Sequence, residues 1–190
     1  MKKIFLWNIF IVVFFSCSEK SEKKTDFLSS DSLKFDKTQN IQKEKNTPAL
    51  APKITVATFD QIQQLYEKQS DTIYITNYWA TWCPPCVEEI PEFIMLQSAY
   101  QDFKVKFIFV SLDDLDTQKS AVLPFVGKHQ MNNVYQFVSP SETTKIEKLV
   151  PDWEGSIPLT IIQKGNYSED FIGGQSADFL IQKIGDYFKK

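Results

Sequence analysis

Apolar and polar positions change period several times along the chain, and each change marks an element. Residues 54–57, Ile-Thr-Val-Ala, read as a short strand. Thr58 and Gln61 have the spacing of a capping box, and Phe59, Ile62, Leu65 and Tyr66 fall on one helical face behind it. After Ser70-Asp71, residues 72–78 are β-rich and apolar on both faces, as a central buried strand should be. Residues 83–100 have a helical pattern with Pro91 inside, which predicts a kink because proline removes one backbone hydrogen bond. Residues 104–111 read as the next strand. Asp113, Asp114 and Asp116 follow it, as caps for the next helix rather than a divalent-metal cluster. That helix covers residues 117–130, with His129 near its end as a surface residue or a partner for the helix dipole. Residues 134–138 predict a strand and 141–149 a helix. Lys164-Gly165-Asn166 turns a hairpin whose second strand is 168–172, closed by Gly173-Gly174. Ser176 caps a last helix with Phe179, Leu180, Ile184 and Phe188 on one stripe.

The N-terminal part lacks this order. Lys2 and Lys3 precede an apolar run over residues 4–15, broken only by Asn8. That is the length of a signal-peptide core and too short to span a membrane comfortably. Phe14-Phe15-Ser16-Cys17 resembles a bacterial lipoprotein cleavage box, which implies lipid on Cys17 and removal of residues 1–16. Phe14 stands where leucine is usual, and an ordinary secretory signal with an incidental cysteine is the other reading. Residues 17–51 are polar, with sparse apolar positions such as Phe27, Leu28, Leu33, Phe35 and Ile41. Such a stretch buries too little surface to offset the entropy of ordering and predicts a flexible tether. A docking patch over residues 27–35 is the alternative. Pro48 and Pro52 mark the boundary, and residues 52–190 make the folded domain.

Composition narrows the function. The chain has 190 residues, enough for one domain plus a tail, and a net charge of −3 that points away from nucleic acid. Loss of Lys2 and Lys3 would take the charge to −5, so lipid rather than basic residues would hold the mature chain to a membrane. Of the three cysteines, Cys83 and Cys86 are spaced as C-x-x-C and Cys17 stands apart.

The pair sits where the apolar strand ends and a helix begins. Backbone N–H groups and the positive end of the helix dipole stabilise a thiolate there. Two intervening residues let both sulfurs share one turn and close a small disulfide ring. Pro84 suits the first helical position, where no N–H is needed. Cys83 is then the exposed nucleophile and Cys86, one turn inside, resolves the mixed disulfide. Half of a zinc site has the same spacing, but there is no second C-x-x-C and only one histidine, His129. Redox chemistry is favoured; it needs no bound cofactor or metal.

The run Asn77-Tyr78-Trp79-Ala80-Thr81-Trp82-Cys83-Pro84-Pro85-Cys86, followed by Glu89 and Pro91, resembles the thioredoxin superfamily. Within it the chain is similar to the TlpA/ResA group of membrane-tethered thiol-disulfide oxidoreductases, from about residue 54 to the C-terminus. The resemblance implies an α/β, thioredoxin fold: a central mixed sheet flanked by helices, with the group's extra β–α insertion over residues 134–149. It implies a cis Ile157–Pro158 peptide facing the cysteines, with the Ile157 backbone presented to an extended substrate segment; a trans proline opening an edge strand is the other reading. Trp82 and Pro84 would join Ile157 and Pro158 in binding substrate, while Trp79 reads mainly as a core aromatic.

Cytosolic thioredoxin has a buried aspartate six residues before its first cysteine; here that position is Asn77, which cannot titrate. Glu89 is the expected replacement, one helix face with Cys86, with a pKa raised by partial burial so that it can shuttle a proton. The alternative is that Glu88 and Glu89 merely favour the helix N-terminus. The resemblance further implies reduction of exported proteins, often apocytochromes c before haem attachment, with electrons from a transmembrane thiol carrier. Two other classes remain to be weighed. A thioredoxin-fold copper carrier uses C-x-x-x-C and a distant histidine, and this spacing is one residue short. A thiol peroxidase needs an arginine beside its cysteine, and the chain contains no arginine.

Overall fold

In the computed structural model, residues 52–66 and 71–190 are described. The predicted leader, Cys17, the tether and the turn at Ser70 lie outside them.

Six strands form one mixed sheet in the order β1-β4-β3-β2-β5-β6. They are β1 (Ile54–Ala57), β2 (Ile73–Trp79), β3 (Val105–Ser111), β4 (Val134–Phe137), β5 (Leu159–Lys164) and β6 (Tyr167–Ile172). The helices are α1 (Phe59–Gln63), α2 (Pro84–Ala99), α3 (Leu123–Lys128) and α4 (Ala177–Phe188). Strand β2 is central: it pairs parallel with β3, Trp79 opposite Ser111, and antiparallel with β5, Tyr78 opposite Leu159.

All seven residues of β2 are buried, and its side chains divide by the two-residue period of a strand. Ile73, Ile75 and Trp79 join one core with Ile90 and Phe93 of α2, Val126 of α3 and Leu180 and Ile184 of α4. Tyr74 and Tyr78 join the other, with Phe59 and Ile62 of α1, Ile146 and Trp153. Asn77 shares the first face, so a polar group is delivered among the apolar side chains beneath α2. The predicted capping box is present: the Thr58 hydroxyl accepts from Gln61 N–H, and the Gln61 side chain accepts from Thr58 N–H.

The predicted insertion is there, and its strand lies inside the sheet. Strand β4 pairs parallel with β1 on one side and β3 on the other, Val134 facing both Ile54 and Phe109. Its helix is a correction: residues Pro140–Lys148 form a 3₁₀ helix, not an α-helix. Ile146 is its fully buried apolar anchor, and Glu142 Oε2 accepts the Phe59 backbone N–H at 2.7 Å, tying the segment to the start of α1. The helix expected over 117–130 is likewise divided, into a 3₁₀ turn (Leu115–Thr117), a π turn (Gln118–Val122) and α3.

Three further expectations change. The caps expected of the acids after β3 do not form: Asp114 occupies the N-cap position of the 3₁₀ turn without a side-chain cap bond, and Asp113 turns the other way, toward the cysteine loop. Of the two readings of His129, the dipole partner is the one that changes: the residue is part-exposed at the C-cap of α3 and stacks on Phe125 with ring centroids 4.3 Å apart, and burial followed by the neighbouring Lys128 charge lowers its pKa. On α4 the stripe runs through Leu180, Ile184 and Tyr187; Phe188 is exposed. Tyr187 takes the buried place because its hydroxyl reaches the Ile162 carbonyl at 3.0 Å, satisfying the polar tip that burial would otherwise penalise.

Candidate active site

Strand β2 ends at Trp79, four residues carry the chain over the sheet edge, and α2 starts at Pro84, the first helical position expected for it. Cys83 is the N-cap, with extended backbone, and its sulfur accepts the Cys86 backbone N–H at 3.3 Å. A helix-terminal N–H that has no partner within the helix therefore points at Cys83 Sγ. In the dithiol form it would stabilise a thiolate at that atom. Cys83 and Cys86 are joined as a disulfide, S–S 2.06 Å, with Cα atoms 5.3 Å apart. Pro91 lies inside α2 as expected.

Cys83 is less open than expected. It is 4% exposed and Cys86 is fully buried. The cover comes from across the site: Ile157 packs on the core cluster that contains both cysteines, and its carbonyl oxygen lies 3.8 Å from Cys83 Sγ. A disulfide sulfur carries no proton, so this is a contact; in the dithiol form the same oxygen can accept from the S–H. Ile157–Pro158 is cis. Trp82, the residue before Cys83, is 67% exposed, and Pro84, the residue after it, is exposed too. Trp79 is fully buried and packs on Phe125 at 4.9 Å between centroids, the core role expected of it.

Glu89 faces inward and is 6% exposed, whereas Glu88 is exposed. One Glu89 carboxylate oxygen accepts the Gln175 backbone N–H and the other accepts Asn77 Nδ2, both at 2.7 Å. Asn77 Nδ2 also donates to Thr160 on β5, at 3.3 Å. Burial raises the Glu89 pKa; the bonds from Gln175 and Asn77 pull it down, the Glu92 charge pushes it up again, and the balance is about 7. A group poised there changes protonation near neutral pH and can both give and take a proton. Asn77 cannot titrate, as its composition requires, yet it belongs to the site because it grips the carboxylate that can.

Gln175 carried no motif, Thr81 stood in the cysteine run without a role of its own, and Asp113 was read only as a helix cap. Gln175 follows the hairpin in a loop tied back to the site: Gly173 N–H donates to the Pro158 carbonyl at 2.8 Å. Asp113 is beside the C-terminal end of parallel strand β3, the end where sites in such sheets gather, and that position was the signal for a place in the site.

Among solved structures the fold resembles a thiol:disulfide interchange protein of the thioredoxin family from Chlorobium tepidum TLS. The match has a TM-score of 0.57 and 20% identity, covering 76% of this chain and 99% of that one. A thioredoxin-related protein from Neisseria meningitidis serogroup B matches with a TM-score of 0.53 and 21% identity, over 62% of this chain and 86% of that one. By sequence, the sporulation thiol-disulfide oxidoreductase A of Bacillus subtilis is 26% identical over 108 residues, which are 56% of this chain and 62% of that protein. The thiol-disulfide oxidoreductase ResA of Bacillus anthracis is 29% identical over 117 residues, 60% of each chain. The chain thus spans about three fifths of the length of these relatives. The profile of the AhpC/TSA family matches residues 49–145, just over half the chain, and runs through both cysteines. With its thioredoxin fold, its redox-spaced cysteine pair and that match, the chain belongs to the AhpC/TSA family.

Proposed function

We propose that this protein is an exported, lipid-anchored thiol-disulfide oxidoreductase that reduces disulfides in other exported proteins. The observation that carries the reading is the Cys83–Cys86 disulfide at the amino end of α2, with the Ile157 carbonyl 3.8 Å from the outer sulfur. The relatives named thiol-disulfide oxidoreductases support it.

The reduced protein acts first through the Cys83 thiolate, which attacks one sulfur of the client disulfide. A Cys83–client bond forms, the client S–S bond breaks, and the first client thiolate leaves. Cys86, deprotonated by Glu89, attacks Cys83 Sγ, expels the second client thiolate and closes the Cys83–Cys86 bond. Two electrons pass to the client, and the two thiol protons end on its new thiols. An external dithiol, delivered by a transmembrane thiol carrier, then reduces the pair. The client strand lies against Ile157 and Pro158 with Trp82 and Pro84 flanking it, in the manner of strand addition. Apocytochrome c before haem attachment is one client of suitable chemistry. Pro84-Pro85 offers no histidine to stabilise the thiolate strongly, which favours reduction over oxidation. Residues 1–16 serve as leader, Cys17 takes the lipid, and residues 17–51 tether a domain of residues 52–190 to the outside of a bacterial membrane.

The test is trapping. Full-length Cys86→Ala is expected to accumulate clients as mixed disulfides on Cys83, released by dithiothreitol and absent when Cys83 is also replaced by Ser. No trapped species in the native compartment, with Cys83 reduced, overturns the reading.

A further inference from the structure

The loop that carries the redox pair is held from outside by a buried carboxylate. Asp113 lies just beyond β3 and is 6% exposed. Its Oδ2 accepts the Thr81 backbone N–H at 3.0 Å, and its Oδ1 accepts the Thr81 hydroxyl at 2.5 Å. The Ser111 hydroxyl donates to Oδ2 at 2.9 Å, and Asp113 N–H returns a bond to Ser111 Oγ at 3.1 Å. Thr81 is two residues before Cys83 and adjoins Trp82. Within this loop the Cys83 N–H donates to the Ala80 carbonyl at 3.2 Å. Ala80 and Cys83 anchor the ends of the segment in the core, but Trp82 points into solvent and Thr81 between them is held by bonds to an anionic acceptor, among the stronger kinds.

Asp113 is itself held by the inserted strand. Gln136 of β4 is fully buried, and its Nε2 donates to the carbonyls of Asp113 and Asp114, each at 3.1 Å. Its Oε1 accepts from Gln118 Nε2 at 2.9 Å. The extra strand thus reaches the redox loop through one polar chain, Gln136 to Asp113 to Thr81. Among the described residues no lysine or histidine forms an ion pair with Asp113. Its charge is softened by hydroxyl and amide dipoles alone, and two residues from Thr81 it acts on whatever charge develops at Cys83.

We infer that Asp113 is a positioning residue for thiol-disulfide exchange: it sets the Thr81–Cys83 segment for attack, and its unpaired charge opposes ionisation of Cys83, keeping the pair reducing. The inference rests on the reading of Cys83 as nucleophile. A purely structural anchor would set the loop without moving the thiol titration, and this separates the two roles.

The experiment uses the full-length reduced protein. Alkylation of the Cys83 peptide by iodoacetamide across pH, read by mass spectrometry, gives the thiol pKa. Reaction with oxidised glutathione above that pKa gives the rate of the thiolate itself. Asp113→Asn should lower the Cys83 pKa by about half a unit or more, since a nearby like charge is removed. Thr81→Val keeps the charge and loses one bond; it should leave the pKa within about 0.2 unit and slow the thiolate reaction about threefold or more. An unchanged or raised pKa in Asp113→Asn, or an unslowed Thr81→Val, overturns the inference. If Asp113→Asn does not fold, judged by its far-ultraviolet dichroism, the Thr81→Val rate decides alone. A wild type whose Cys83 fails to react with the disulfide refutes the proposed function instead, so the two failures are distinguishable.

Discussion

Glu89→Gln offers a quantitative check on the electrostatics of the site. In the folded protein the Glu89 pKa is about 7 against an ordinary 4.5, with burial as the leading cause. Between those values the native state holds a proton that the unfolded chain has released, so raising the pH draws stability away. The benefit of the neutral carboxyl is full below 4.5 and gone above 7. Integrated from pH 5 to pH 8, this one group removes about 2–3 kcal/mol from the wild type. Glutamine is neutral throughout and lacks this decline. Glutamine and the protonated carboxyl each present one carbonyl acceptor to Gln175 N–H and Asn77 Nδ2, so the loss on substitution relative to the protonated state, about 1–3 kcal/mol, does not depend on pH. The pH-independent loss cancels when the wild-type-minus-variant difference is compared at the two pH values. The assay is urea unfolding of both proteins as disulfides, which keeps the cysteines from titrating. Relative to the wild type, Glu89→Gln should gain about 2–3 kcal/mol between pH 5 and pH 8. A difference constant to within about 0.5 kcal/mol would mean that the donors of Gln175 and Asn77 outweigh burial and that Glu89 stays ionised. It would then have no proton to move.

Two further outcomes are expected. Ile90→Ala removes a fully buried side chain of α2 from the core under the cysteines and should cost about 2–5 kcal/mol in urea unfolding; a loss below about 1 kcal/mol would place that core elsewhere. Cys17→Ser should release the protein from the membrane fraction while disulfide reduction by the purified protein is unchanged; retention in membranes would show that lipid on Cys17 is not the anchor.

The fold was legible where one periodicity dominated. The two-faced apolar run of β2, the capping box at Thr58 and Gln61, and Pro84 ahead of the α2 pattern each state their structure locally. The cysteine pair was legible for the same reason, as spacing and helix position are both sequence properties. The sequence was weaker where long-range partners decide. Residues 141–149 look helical, yet Glu142 is drawn to the Phe59 N–H and Ile146 to the core, and the segment winds as 3₁₀. Asp113 looks like a cap, but its partner Thr81 is 32 positions away. Cys83 looks open until Ile157, 74 positions on, is seen to cover it. Tyr187 carries a hydroxyl that argues for the surface, until the Ile162 carbonyl is seen to accept it in the interior.

The most direct measurement is reduction of insulin disulfides by dithiothreitol, followed by turbidity, with the full-length protein present in catalytic amount. The account predicts that the wild type accelerates precipitation of the insulin B chain and that Cys83→Ser leaves only the rate of dithiothreitol alone. A wild type no faster than dithiothreitol, or a Cys83→Ser variant as fast as the wild type, would contradict it.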